Sequence, residues 1–455
     1  MPLTKEYIQE LVAQYIIEKH RDKKWTPGKD WVQYSGPYFD FNEYVNAVGT
    51  LLDEWLVLGN DAIEFEKKFP PLLGQKHGVV VNSGSSANLL MMAALMARKS
   101  LAPQTKVIVP VAGFPTTLNP IIQLGLKPVF VDIDLDTLNL NLDQVEECLT
   151  PNTILTFAHV LGNPPNMDRV METVQKNHIT LLEDCCDALG STYDNKPLGS
   201  FGRFSSCSFY PAHHITMGEG GFVACNDAED EKVIRSLREW GRGCYCVGKK
   251  ANLSTKGTCG CRFKNWLPSL PNEIFDHKYV YETIGYNMKP IELQCSMGLA
   301  QLNKLPDIHA KRRANHARLT EIFSLYEEFF HFHKATPKSN PSWFAFPITV
   351  RDGAPFTRSD FTKYMEDNKI QTRNYFGGNL LLQPAYRNLD WTDWRQSPGV
   401  FVREPPTMKD YFPVATKVTT DTLFLGTSPV ITEEQLDYVA EQVHAFMHVM
   451  KQIRA

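Results

Sequence analysis

From residue 78 onward the chain repeats one unit: a short apolar run, then a stretch with helical spacing. Runs at 78–82, 107–110, 128–132, 153–159, 179–184, 204–210 and 221–225 are candidate strands. Several, such as Val79-Val80-Val81 and Val107-Ile108-Val109, are continuous and β-branched rather than alternating. Continuous runs of this kind suit strands buried on both faces. Strand–helix alternation with such burial predicts an α/β fold: an open, mostly parallel sheet covered by helices.

The flanks read differently. Residues 4–20 (Tyr7, Ile8, Leu11, Val12, Tyr15, Ile16) and about 41–57 carry helical spacing, and the Trp-, Pro- and Gly-rich 21–40 reads as an ordered loop. Residues 242–285 break the repeat; they are dense in Gly, Cys, Lys and Pro. Trp266, Leu267, Ile274 and Phe275 need burial, so this is an irregular insertion rather than a linker. A long helical stretch follows at about 290–333. Strand (343–350), helix (358–367), strand (370–375), a Pro-rich loop, strand (422–425) and a final helix (432–452) make a smaller α+β domain. The expected organisation is an N-terminal helical arm (1–57), a large domain (58–290) carrying the insertion, a helical connection (291–339) and a C-terminal domain (340–455).

Charged residues are 22% of the 455, hydrophobic ones 43%, and the net charge is −4. That balance argues against nucleic-acid or anionic-membrane partners. No window approaches the 18 or more apolar residues of a bilayer span. The first residues lack an apolar core and carry Glu6 and Glu10, so a cytoplasmic protein is expected. Of ten cysteines, six sit in tight clusters: Cys185-Cys186, Cys244-x-Cys246 and Cys259-x-Cys261. In a reducing compartment such clusters point to metal or redox chemistry. Cys148, Cys207, Cys225 and Cys295 stand alone and read as small buried hydrophobes.

Three local patterns suggest a cofactor site. Leu181-Leu182-Glu183-Asp184 puts an acid at the carboxyl end of a buried strand, where open α/β sheets bind ligands. There a carboxylate can keep a pyridine nitrogen protonated. Asn82-Ser83-Gly84-Ser85-Ser86-Ala87 follows a strand and opens a helix, a natural phosphate cradle. Phe114, after the strand at 107–110, could stack on a ring. Alone, each has a bland reading: a capping acid, a capping turn, a core aromatic.

In combination with Ser208-Phe209-Tyr210, Gly218-Glu219-Gly220-Gly221 and Gly285-Tyr286-Asn287-Met288-Lys289-Pro290, these motifs resemble the DegT/DnrJ/EryC1/StrS sugar aminotransferase family over about residues 40–450. The resemblance implies an aspartate-aminotransferase-like (fold type I) large domain. It implies pyridoxal or pyridoxamine phosphate as cofactor, with Asp184 on the pyridine nitrogen, Gly84, Ser85, Ser86 and Ser208 around the phosphate, and Phe114 stacked on the ring. Asn287 would reach the cofactor phosphate of a neighbouring subunit, implying a homodimer.

The chain departs from that family where it matters most. His213 stands at the position of the cofactor lysine, and no lysine occurs between Lys196 and Lys232. An imidazole cannot hold the cofactor covalently, but it can move protons near neutral pH. Asp187 replaces a usual glutamine near the ring, and Phe344, in Ser342-Trp343-Phe344-Ala345-Phe346-Pro347, replaces a frequent histidine. These changes resemble the branch that removes the 3-hydroxyl of nucleotide-linked 4-keto-6-deoxyhexoses. His213 would be its base, with His213 or Tyr210 as the acid for hydroxide departure. CDP is the nucleotide implied first and dTDP second.

Fifty-seven residues separate Cys186 from Cys244, one separates Cys244 from Cys246, and twelve separate Cys246 from Cys259. Four thiolates can hold a 2Fe–2S centre or structural zinc, and spacing does not choose between them. The set resembles that of the family's iron–sulfur dehydrases, which implies Cys186 and Cys259 as ligands over Cys185 and Cys261. It also implies a flavin iron–sulfur reductase as electron donor. Competing readings are a histidine-type dehydratase that ends in deamination without a redox cluster, and a non-catalytic aminotransferase-like binding protein.

Overall fold

The computed structural model describes residues 3–21, 24–99, 101–102, 104–150, 152–387 and 412–454. The apolar runs form one seven-stranded sheet. Its strands are β1 (His77–Val81), β2 (Lys106–Pro110), β3 (Lys127–Val131), β4 (Ile154–Ala158), β5 (Thr180–Asp184), β6 (Phe204–Ser208) and β7 (Gly221–Cys225). Their spatial order is β1-β7-β6-β5-β4-β2-β3. Only β7 runs against its neighbours, pairing antiparallel with β1 and β6. β5 lies parallel to both β4 and β6. The turns that leave β1, β2, β4, β5 and β6 therefore emerge along one edge. Gly221 sits there, opposite both Val81 and Ser208. A Cβ on it would collide with the Ser83 carbonyl, so the close approach of these segments requires glycine.

Helices α1 (Lys5–Arg21), α2 (Phe41–Leu52) and α3 (Asn60–Lys68) precede the sheet, α4 (Gly84–Lys99) and α5 (Pro115–Gln123) follow β1 and β2, and α6 (Ala228–Arg238) follows β7. Phe65 of α3 and Phe69 at its C-cap meet Phe222 and Phe209 in a buried aromatic cluster, with Phe69 and Phe209 centroids 5.0 Å apart. That packing pins Phe209, and with it the chain leaving β6. Beside this cluster, buried Glu66 accepts from Arg238 Nη1 and Arg235 Nη1, both at 2.8 Å. Burial opposes its charge, but the two guanidinium groups outweigh that and hold the carboxyl below its usual range. Glu66→Gln would remove a charge shared by two cations that keep Glu231 and Glu239 as partners. Its expected cost is roughly 1–3 kcal/mol, read as a lower urea midpoint.

The stretch from 290 to 333, expected to be helical, divides. It holds α7 (Glu292–Leu302), α8 (Leu305–Ser324) and then a strand, β8 (Phe330–Phe332). Pro306, in the first turn of α8, cannot continue a preceding helix but starts one well. Strands β8, β9 (Ala345–Val350), β10 (Arg373–Asn374) and β11 (Thr422–Gly426) form an antiparallel sheet in the order β8-β9-β11-β10. α9 (Arg358–Asp367) and α10 (Glu433–Arg454) cover it, and Phe323, Phe330, Phe361 and Phe446 meet in its core. β10 is shorter than the expected strand 370–375: at its start Ile370 bridges to Val32 instead of joining the sheet, and past its end the chain turns at Phe376 with φ 41°. Residues 388–411 of the Pro-rich loop lie outside the described residues.

The insertion is as irregular as expected, with a four-residue helix (Lys249–Asn252) and a two-residue strand pair, Phe263–Lys264 with Phe275–Asp276. Its apolar residues depart from expectation. Ile274 is 70% exposed and Trp266 only half-buried, stacked on His277 at 3.8 Å. Among the described residues no helix is long and apolar enough to cross a membrane.

Candidate active site

The sheet edge where the turns emerge opens into a cavity of about 870 Å³. Asp184 closes its floor. The period-2 alternation of a strand turns Glu183 and Asp184 to opposite faces of β5. Asp184 Oδ2 accepts from Asn88 Nδ2 and Thr117 Oγ1, both at 2.8 Å, and Oδ1 accepts from the Cys186 N–H at 3.1 Å. Ser206 Oγ approaches Oδ1 at 3.4 Å. All these donors are neutral, and the carboxylate is only 4% exposed. A buried carboxylate without a cation among the described residues suits a ligand that brings a protonated nitrogen. Glu183, on the other face, accepts from His159 Nε2 at 2.9 Å and from the Gly199, Phe201 and Gly202 amides. It organises the turn that leads into β6. His159, Glu183 and Cys185 are the one set of three metal-type donors within 4.8 Å among the described residues. All are fully buried, and backbone amides already occupy Glu183.

Gly84 and Ser85 open α4 and line the cavity, together with Asn82, Ser83 and Ser208. A Cβ at Gly84 would collide with Ser208 and reach 3.1 Å from Cys186 Sγ. Helix start, β6 end and β5 turn thus converge on one small volume. The free end of a sixteen-residue helix attracts a phosphate. Ser86 is turned elsewhere: its amide and hydroxyl both bond Ser83 Oγ at 3.0 Å, and it does not line the cavity. Phe114 is 53% exposed on the wall, its ring 6.1 Å from that of Phe376. The buried carboxylate, the helix start with its serines and the open aromatic ring fit a pyridoxal-type cofactor.

His213 lines the cavity beside Tyr210 and Phe344, whose ring centroid lies 5.4 Å away. Its amide donates to the Tyr210 carbonyl at 3.0 Å, closing the turn through Pro211. Behind it, buried Arg312 of α8 donates to the carbonyls of His213 and Phe344 at 3.0 and 3.1 Å. Burial and the Arg312 charge push the His213 imidazole down to about 4. Burial and the Asp184 charge push the Asp187 carboxyl up to about 8. At neutral pH the imidazole is therefore neutral and Asp187 protonated. Asp187 Oδ1 comes within 3.4 Å of His213 Nδ1, but not aligned as a hydrogen bond, and that nitrogen has no other partner among the described residues. His214 points away and bonds the Ser342 carbonyl at 2.7 Å. Among the described residues no lysine lines the cavity.

The predicted thiols fall into two places. Cys246 and Cys259 flank Gly257, within 3.4 and 3.5 Å of where its Cβ would lie, and Cys244 interacts with both. Thr258 Oγ1 donates to Cys246 Sγ at 3.1 Å. Burial disfavours the Cys246 thiolate, but bonds from Thr258 and Cys259 outweigh it and hold the thiol down at about 7. Cys186 lines the cofactor cavity, where burial and Asp184 keep its proton on. A metal bound there would have to displace that proton. No three of these four sulfurs lie within 4.8 Å of one another. Asn287 is exposed, bridged to Glu239, and outside this cavity.

Several site residues carry no local signal in the sequence. Asn88 is the exception, since it lies one helical turn beyond Gly84 and so on the same face. Thr117, Ser206, Arg312, Tyr34 and Arg373 come together only through the fold.

The DegT/DnrJ/EryC1/StrS aminotransferase family profile matches residues 40–444. The chain belongs to this family. Its seven-stranded sheet and smaller antiparallel sheet are the family's fold type I arrangement. The lipopolysaccharide biosynthesis protein RfbH of Salmonella typhimurium is 40% identical over 97% of this chain and 98% of its own length. The dTDP-4-dehydro-2,6-dideoxy-D-glucose 3-dehydratase of Saccharopolyspora spinosa is 37% identical over 98% of this chain and 93% of its own. Among solved structures, the E. coli GDP-4-keto-6-deoxy-D-mannose-3-dehydratase with bound hydrated PLP superposes with a TM-score of 0.75. It is 27% identical and covers 91% of this chain and 99% of its own.

Proposed function

We propose that this protein removes the C3 hydroxyl of a nucleotide-linked 4-keto-6-deoxyhexose, using pyridoxamine phosphate held without a covalent bond. The observation that carries the reading is His213 in a cavity that no lysine lines among the described residues. The names of the relatives, two of them sugar 3-dehydratases, support the same chemistry.

When bound, pyridoxamine phosphate supplies an amine that condenses with the C4 ketone and a ring that draws electrons. Asp184 keeps the ring nitrogen protonated. Ser85, Ser208 and the start of α4 hold the phosphate, and Phe114 covers the ring. His213, neutral in its buried setting, takes a proton from the carbon that bears the amine (C4′). The same imidazole or the Tyr210 hydroxyl returns a proton to the departing C3 oxygen. Phe344 and Asp187 stand where aminotransferases carry groups suited to completing amino transfer.

Replacing the C3 hydroxyl by hydrogen consumes two electrons and two protons and releases water. Cys186, Cys244, Cys246 and Cys259 would hold a 2Fe–2S centre that delivers electrons one at a time, drawn from a flavin iron–sulfur reductase. Asn287, exposed on this chain, would complete the neighbouring site in a homodimer. The Cys186 thiol, kept protonated by burial and Asp184 in the cavity wall, favours a second reading: dehydration that ends in deamination, with no cluster.

Iron and acid-labile sulfide analysis of anaerobically purified protein, with an ammonia assay during turnover, separates the two readings. The expected result is roughly two irons and two sulfides per chain, dependence on a reductase, and no ammonia. Ammonia release from iron-free protein would establish the second reading instead. Failure to act on CDP-, dTDP- and GDP-linked 4-keto-6-deoxyhexoses would overturn both.

A further inference from the structure

We propose that Arg373, seated on the Tyr34 ring at the cavity wall, is the subsite for the diphosphate of the nucleotide sugar; this rests on the substrate class proposed above. Arg373 is the sole lysine or arginine among the described residues that line the cavity. Its guanidinium carbon lies 4.3 Å from the Tyr34 ring centroid. Its one hydrogen bond among the described residues runs from Nη1 to the adjacent Thr372 carbonyl at 2.8 Å. No described carboxylate forms an ion pair with it. Of five N–H donors, most remain available in an exposed, forked group.

The pair is held in place before any ligand arrives. The Val32 and Gln371 amides donate to the Lys369 and Val32 carbonyls, at 2.8 and 2.9 Å, stitching the Tyr34 loop to the entry of β10. The Tyr34 amide donates to Gln371 Oε1 at 3.2 Å. On the other side, Gly426 of β11 admits the Tyr34 backbone so closely that a Cβ there would collide with it. Arg373 itself pairs with Phe424 across β10 and β11. Ring stacking leaves the edge of the guanidinium free, and a planar fork matches two phosphoryl oxygens at once.

Position distinguishes this anion site from the cofactor's. The cofactor phosphate falls to the start of α4 and Ser208, all from the large domain. Arg373 and Tyr34 come from the C-terminal sheet and the N-terminal loop. At about 870 Å³ the cavity lies near the top of the range for small-molecule sites, roughly 300–1,000 Å³. That leaves room for a second ligand beside the cofactor.

The test is calorimetric titration of the pyridoxamine-phosphate-loaded protein with CDP, dTDP, GDP and inorganic pyrophosphate, alongside turnover of the matching nucleotide sugar. Arg373→Gln should weaken binding of the preferred nucleoside diphosphate roughly tenfold to a hundredfold, the loss of charge-assisted hydrogen bonds. KM should rise by a similar factor while kcat falls far less, because the contact is remote from C3. Arg373→Lys, which keeps charge but loses the fork, should fall between. An unchanged thermal midpoint would exclude misfolding, since the side chain is exposed. If Arg373→Gln binds as tightly as the parent while both turn over nucleotide sugar, the subsite is refuted and the proposed function stands. If the parent itself binds none of the diphosphates and turns over no nucleotide sugar, the substrate class falls as well.

Discussion

Replacing His213 by lysine is expected to convert a reversible cofactor site into a covalent one. The new amine would stand on the turn through Pro211, in the wall beside Asp187 and Phe344. Burial lowers the pKa of a lysine and so favours its nucleophilic form. The His213→Lys protein should retain pyridoxal phosphate through denaturation after borohydride reduction, where the parent releases it. Dehydration should fall by roughly 10²–10⁴-fold, the range for loss of a general base. His213→Asn should lose dehydration to a similar degree without gaining the link. The parent's pH profile carries a further expectation. A base acts when deprotonated, and this imidazole is pushed down to about 4. Its rate should not climb through pH 6–7, as that of an exposed histidine base would. Parental dehydration rates in the lysine variant would remove His213 from the chemistry.

The second large effect is expected at Asp184. Asp184→Asn removes the negative charge proposed to keep a ring nitrogen protonated. The expected loss is roughly 10²–10³-fold in turnover, similar to deleting one preorganised electrostatic group. Part of any loss could come from disrupted packing, because Oδ2 accepts from both Asn88 and Thr117. An amide nitrogen at that position would face two donors. Thr117→Val separates the effects, since it deletes one hydrogen bond and leaves the carboxylate. That variant should keep activity within about tenfold, matching the modest net worth of one such bond. Equal losses in the two variants would mean that Asp184 serves the packing alone.

The parallel sheet was legible in the sequence because strands buried on both faces leave continuous apolar runs. Each of the seven expected runs overlaps a strand of the large sheet. The division of 290–333 was harder to foresee. Helical periodicity continues across Asn303 and Lys304, and the strand Phe330–Phe332 is too short to impose a pattern of its own. Ile274 and Trp266 were expected to be buried because large apolar side chains usually are. In the insertion too few residues form regular elements to enclose them. Of the site itself, Asp184, Gly84, Ser85, Phe114 and His213 stand at strand ends, a helix start and turns with recognisable sequences. Arg312, Arg373 and Tyr34 do not. Arg373 and Tyr34 reach the cavity from a two-residue strand and a loop, and Arg312 braces its wall from a helix, all far apart in the chain where no local spacing announces them.

Glu183 and Asp184 are consecutive, yet one braces the turn before β6 and the other faces the cofactor cavity. Their division of labour depends on the parity of the strand. Adding or deleting a single residue between Thr180 and Leu182 would exchange the two acids, putting the brace in the cavity and the cavity acid in the scaffold. This stretch should therefore accept changes of side chain far more readily than any change of length.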